Sequence, residues 1–286
     1  MKLIDRLEWE VREGREAIRH LAMGRLKELG KRGRSRREAV GGLMRLWRHR
    51  LAAPSDIAPC TGTVLEISRL ALDRVKPFQQ EVVKLEWLLD FDYEGLSIQA
   101  RELLKMLGYL PGSEVARVLR DALKLTDPYL KCCAAVSLLR HGEPVSPEEI
   151  EVVADSHLVR ITLWENLQEL GMESLMPLRR TSAEALAASA LSRWLSHGNE
   201  MGAPPEEIEL MKTIPIEAEG DLFLFRFRAY PQPWKPGGGW KAGIAGPYRN
   251  GKALDSPWSS LSGWDSMTPE KHFEMLYYRG EKKGLA

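Results

Sequence analysis

The sequence is poor in cysteine, in unbroken apolar runs and in net charge, and each shortage excludes something. Only three cysteines, Cys60, Cys132 and Cys133, stand among 286 residues. Adjacent Cys132 and Cys133 diverge by about 100° on a helix, so a helical pair does not readily bridge. The pattern predicts reduced thiols in a cytoplasmic protein, not a disulfide-stapled secreted one. No run approaches the roughly 18 apolar residues of a membrane span. The N-terminus, Met1 to Glu10, carries charges every few residues and has no apolar core of a secretory signal.

Motifs of catalysis are equally sparse. The six histidines, His20, His49, His141, His157, His197 and His272, show no His-x3-His spacing, and no Cys-x2-Cys occurs, so no structural zinc is expected. His141 and His197 each precede a glycine that reads as a helix stop, where a cation suits the negative helix end. No Gly-x-Ser-x-Gly elbow is present. Gly237-Gly238-Gly239-Trp240-Lys241 lacks the spacing of a phosphate loop. Leu88-Leu89-Asp90-Phe91-Asp92-Tyr93 superficially resembles the start of a haloacid dehalogenase. Glu94 stands where that family carries Thr or Val, and the preceding run reads as helix, so a solvated turn between helices is expected. The reading is a protein with no catalytic, cofactor or metal site.

The net charge of +1 conceals a split. Residues 1–50 hold 15 Lys+Arg and 7 Asp+Glu, a net of +8; residues 51–286 hold 26 and 33, a net of −7. Such a split suits a basic arm that meets nucleic acid, an acidic partner or its own acidic half. Residues 1–52 read as a basic helical segment. Within it Lys31, Arg32, Arg34, Arg36 and Arg37 form a candidate phosphate-binding patch without interleaved aromatics.

From residue 63 to 212 the chain reads as short helices, over 64–75, 78–89, 96–107, 113–124, 128–141, 147–154, 157–170, 172–180, 182–197 and 204–212. Start signals recur: Ser113 before Glu114, Thr126-Asp127-Pro128, Ser146-Pro147-Glu148-Glu149, and a Thr181-to-Glu184 capping box. Gly108, Gly142, Gly171 and Gly198 stop helices at intervals of 34, 29 and 27 residues, about the length of a helix pair with two turns.

Three segments align on these stops. Asp127, Leu130, Lys131, Ala134 and Ala135 lead to Gly142; Asp155, Val159 and Arg160 lead to Gly171; a third runs from Thr181 to Gly198; a weaker copy starts at Asp92. An aspartate in the turn, an apolar and a basic residue after it, small residues mid-helix and a closing Leu-Gly are the second-helix signature of HEAT repeats. Over roughly residues 90–212 the chain resembles the HEAT-repeat family. That resemblance implies a mainly α fold, an α-α solenoid wound as a right-handed superhelix. It also implies a curved face for another protein, with Arg101, Lys105, Arg160, Gln168 and Arg193 as partner-facing residues of the second helices. Small bacterial proteins of similar build act as binding or inhibitory partners. The alternative is nucleic-acid binding, as in HEAT-like alkylpurine glycosylases that excise DNA bases. Their basic channel is not matched by the repeat region here, and Asp127 and Asp155 read as turn residues. HEAT-like proteins that attach bilin pigments are a third class, for which no residue speaks.

Residues 213–286 read as an aromatic-rich α+β appendage. Phe223, Phe225 and Phe227 alternate with Leu224, Arg226 and Arg228, the period of a strand with one aromatic face. A hairpin is expected over 214–218 and 222–229, a strand over 240–248 and a helix from Thr268 to about Tyr278. Trp234, Trp240, Trp258 and Trp264 form either a small core or anchors for a partner, with Trp258 and Trp264 the candidates for exposure.

Overall fold

A computed structural model describes residues 61–79, 91–196, 201–202, 204–216, 220–229, 239–249, 252–253, 262–264 and 267–281, with Ser55 and Ala58. The basic segment 1–52, most of the expected helix 78–89, Gly198 and His197 lie outside them. The described residues are mainly helical with a small antiparallel sheet. They fall into two compact units; residues 127–132 and 145 onward belong to the second, and the rest of 92–144 and the preceding helix to the first.

The first unit contains α1 (Thr61–Val75), a 3-10 turn (Lys76–Gln79), α2 (Phe91–Leu107), α3 (Ser113–Leu123) and most of α4 (Pro128–His141). Helix α1 packs on α3, burying Val64, Leu72, Val115 and Leu119. A polar knot ties the 3-10 turn down. The Gln79 Oε1 accepts from the Thr126 amide (2.9 Å) and hydroxyl (2.8 Å), and its Nε2 donates to the Tyr93 hydroxyl at 3.0 Å. Tyr93 is fully buried inside α2, so residues 91–94 of the expected solvated turn are instead the first turn of a helix, and 88–90 lie outside the described residues. Gly108 was expected as a left-handed stop. It does not have positive φ; a Cβ there would stand 3.0 Å from Ser137 of α4, so close packing is what requires glycine. Gly112, with φ 116°, rather than Ser113, is the N-cap of α3.

The second unit holds the first turn of α4, then α5 (Pro147–Asp155), α6 (Arg160–Leu170), α7 (Ala183–Leu195) and α8 (Pro269–Glu281). Consecutive helices α5, α6 and α7 contact one another in turn. The starts follow the capping chemistry. The Asp127 Oδ1 accepts from the Tyr129 and Leu130 amides at 2.7 and 3.2 Å. Ser146 and Glu149 close a reciprocal capping box on α5. Gly142 and Gly171 end α4 and α6 with φ of 87° and 67°. The expected box at Thr181 is displaced by one residue. Ser182 caps α7 through the Ala185 amide, and the Thr181 hydroxyl turns back to the Leu178 carbonyl.

Two expected helices are absent. Residues 172–180 form only two 3-10 turns, Glu173–Leu175 and Leu178–Arg180, because Pro177 interrupts the run. Residues 205–212 of the expected helix 204–212 are strand. β1 (Pro205–Ile216) pairs antiparallel with β2 (Gly220–Ala229), and β2 with β3 (Trp240–Arg249). Two-residue strands β4 (Lys252–Ala253) and β5 (Ser262–Gly263) both pair with β3. The expected boundary at 213 therefore falls inside β1, and the strand starts at Pro205. The alternation of Glu207, Ile208, Glu209 and Leu210 matches that of β2, whose Phe227 and Phe225 face Ile208 and Leu210 across the ladder. Proline followed by acidic residues imitated a helix start.

The sheet's two faces divide cleanly. Phe223, Phe225, Phe227 and Ala245 pack on Leu186, Ala187, Leu191 and Leu195 of α7. Leu222, Leu224, Ala242 and Ile244 pack on Leu276 and Phe273 of α8, with Trp264 beside them. Gly243 lets α7 approach, since a Cβ would stand 2.9 Å from the Phe227 ring and 3.5 Å from Leu191.

Candidate protein-interaction surface

Among the described residues, helix α8 packs on Leu222, Leu224, Ala242 and Ile244 of its sheet face. Further along β2 that face carries Arg226 and Arg228, one strand period beyond Leu224. Across the ladder Glu209 stands opposite Arg226 and Glu207 opposite Arg228 on β1, while Trp240 stands opposite Arg228 on β3. An acidic pair, a basic pair and one aromatic ring thus lie side by side.

The side chains engage as this register dictates. Arg226 donates from Nε and Nη2 to Glu209 Oε2 at 2.8 and 2.6 Å, with its guanidinium 4.6 Å from the Trp240 ring centroid. Arg228 pairs with Glu207, reaches Glu206 at 3.4 Å and lies 5.9 Å from the same centroid. Arginine suits this position because its planar group binds carboxylate through its edge and the ring through its face. These six side chains are partly exposed, so they form a surface patch.

A β-bulge links the patch to α8. Leu210 faces Phe225 and Lys212 faces Leu224, leaving Met211 as the extra residue. Met211 joins the apolar cluster under α8, and the Lys212 Nζ reaches Glu270 in the first turn of α8. That contact, with the Glu270 backbone and the Thr268 hydroxyl, holds the Glu270 carboxyl down to about 2.

The residues expected to face a partner fall in both units. Arg101 and Lys105 lie in the first unit, where Arg101 donates to the Ser97 carbonyl (3.3 Å) and exposed Lys105 pairs with Glu102 (3.0 Å). In the second unit Gln168 is exposed on α6, and exposed Arg193 forms a two-pronged pair with Glu165 at 2.6 and 2.9 Å. Arg160 is interior, with 6 % of its surface exposed. It donates to the carbonyls of Ala154 (2.7 Å), Asp155 (2.8 Å) and Ala185 (3.0 Å), fastening the end of α5 to the start of α7. Burial and the nearby Arg180 lower its pKa to about 10, which leaves it charged at neutral pH. Its place is structural, because all three edges of the guanidinium are spent on backbone. Trp264 is half-buried: its ring stacks on buried His272 at 4.4 Å and its amide donates to the Trp240 carbonyl at 2.7 Å. Trp258 and the patch Lys31, Arg32, Arg34, Arg36 and Arg37 lie outside the described residues.

Sequence reasoning passed over Trp240, Arg226 and Arg228 as a group. The signal was the period of two in β2, which places both arginines on the face opposite the phenylalanines. Among the described residues no group of three His, Cys, Asp or Glu side chains could hold a metal ion, and no helix is long and apolar enough to cross a membrane. Cys132 is buried and Cys133 half-buried on α4. Comparison with protein-family models, with curated proteins and with solved structures gives no match.

Proposed function

We propose that this chain is a cytoplasmic, non-catalytic protein-binding partner, and that the sheet face around Trp240 is its docking face. The observation that carries the reading is the half-exposed Trp240 ring under Arg226 and Arg228. Tryptophan and arginine dominate the energetics of interfaces, and here both are held in place before a partner arrives. The exposed carboxylates of Glu207 and Glu209 supply a polar rim.

The helical region is read as HEAT-like repeats packed in a right-handed solenoid. Support comes from buried Leu130, Ala134 and Ala135 behind the Asp127 cap, and from the left-handed glycine stops after α4 and α6. In this reading the repeats form a scaffold that presents the sheet.

The test is affinity capture with the intact chain, compared with Trp240→Ala and quantified by mass spectrometry. The expected result is one or a few proteins captured by the wild type and lost from the variant. Equal capture by both would remove the sheet face as the interface. A truncation at 213 is unsuitable, because it cuts through β1.

A further inference from the structure

The edge of the same sheet carries a second feature. Among the described residues β1 pairs with β2 alone, so one side of a twelve-residue strand lies at the sheet edge. Long edge strands are templates for another strand, and this one is blunted at both ends. Pro205 and Pro215 lack amide donors, and the bulge at Met211 bends the strand away. A further register shift leaves Glu206 unpaired next to Pro205, so the regular window between the two irregularities is Glu207 to Leu210.

What that window accepts is readable from what it already holds. On its inner side Ile208 and Leu210 face Phe227 and Phe225, while Glu207 and Glu209 face Arg228 and Arg226. An incoming strand extends the same two faces: apolar residues beside half-buried Ile208 and Leu210, and basic residues beside the glutamates. A second copy of β1 fits poorly. Antiparallel self-pairing centred on Ile208 places Glu207 of each copy opposite Glu209 of the other, and like charges directly opposite destabilise a ladder.

We infer that the outer edge of β1, over residues 207–210, binds an extended peptide segment that alternates apolar and basic residues, by strand addition. Main-chain hydrogen bonds supply affinity and the alternating rows supply register and specificity. This inference rests on the reading of the chain as a protein-binding partner and names the chemistry of what it binds.

The probe is a fluorescein-labelled octapeptide of alternating valine and arginine, titrated against the intact chain by fluorescence anisotropy. Two control peptides carry glutamate in place of arginine, or N-methyl groups on alternate residues of the arginine peptide. Strand addition predicts that each control binds at least about tenfold more weakly, a difference of about 1.4 kcal/mol. It also predicts slower amide hydrogen exchange within 207–210 on adding the arginine peptide, with none in α1 or α3. An arginine peptide that fails to bind, an N-methylated peptide that binds equally well, or protection away from β1 would each overturn it. Failure here while Trp240→Ala still abolishes capture would remove strand addition and leave the docking face standing. Failure of both would remove the two together.

Discussion

Arg226 lies over the ring of Trp240 at 4.6 Å while its edge holds Glu209. One guanidinium thus links three strands. The arrangement costs little further entropy when a partner binds, because the rotamers are already fixed. Replacing Trp240 by alanine removes the ring under both arginines. A loss of about 1 kcal/mol in stability is expected, with Trp240→Phe retaining most of it; chemical denaturation measures both.

Two glycines of positive φ, Gly246 in the sheet and Gly112 at the start of α3, differ in kind. Gly246 has φ of 120°, and a Cβ would stand 2.7 Å from the Asp221 carbonyl oxygen. Gly112 has φ of 116° with nothing within 4 Å. Gly112→Ala is expected to cost roughly 1–2 kcal/mol from backbone strain alone. Gly246→Ala should cost clearly more, because a backbone atom must also move. Equal thermal midpoints for the two variants would contradict this ordering.

Arg160 is the buried fastener of the second unit. Arg160→Met leaves the carbonyls of Ala154, Asp155 and Ala185 without their guanidinium partner. About 3 kcal/mol of destabilisation is expected in urea. Arg160→Lys should recover only part of it, since one ammonium cannot reproduce the planar fork.

Capping gives a sharper discrimination. Asp127→Ala and Ser182→Ala should each cost about 1 kcal/mol, because each removes an oxygen that accepts from a helix amide. Thr181→Ala should cost less than Ser182→Ala, although Thr181 begins the apparent capping motif. Thermal midpoints of the three variants decide the matter.

Acid should act on the second unit in two windows. The His157 Nε2 lies 3.1 Å from the Pro205 carbonyl, and burial, with Arg160 nearby, lowers its pKa below the usual 6.5. The native state then favours neutral imidazole, so stability is full above 6.5 and falls as pH drops from there toward the depressed native value. Glu270, held down to about 2, contributes stability above about 4.5 that is lost as pH falls toward 2. His157→Gln should flatten the first decline in midpoint against pH and leave the second.

Much of this architecture is legible in local chemistry. Helices α4 and α5 begin where proline and capping side chains place them, α4 and α6 end at glycine, and β2 shows its faces in the Phe–Arg alternation. The misreadings came from residues whose local signal competes with long-range pairing. Pro205-Glu206-Glu207 imitates a helix start, and only β2 reveals that its glutamates match arginines across a ladder. The bulge at Met211 then hides the period of two. Arg160 looked like a surface cation because burial of a charge depends on three carbonyls from two other helices. Trp240 became recognisable only when register placed it beside residues 12 to 14 positions earlier.

The central claim is that the Trp240 face binds a protein. The direct measurement is the affinity of the captured partner for purified chain, by calorimetry, with Trp240→Ala and Gln168→Ala compared at equal folded fraction. The account predicts that Trp240→Ala weakens binding at least about thirtyfold, as loss of a 2 kcal/mol anchor does, while Gln168→Ala leaves it unchanged. Unchanged affinity in Trp240→Ala would contradict it.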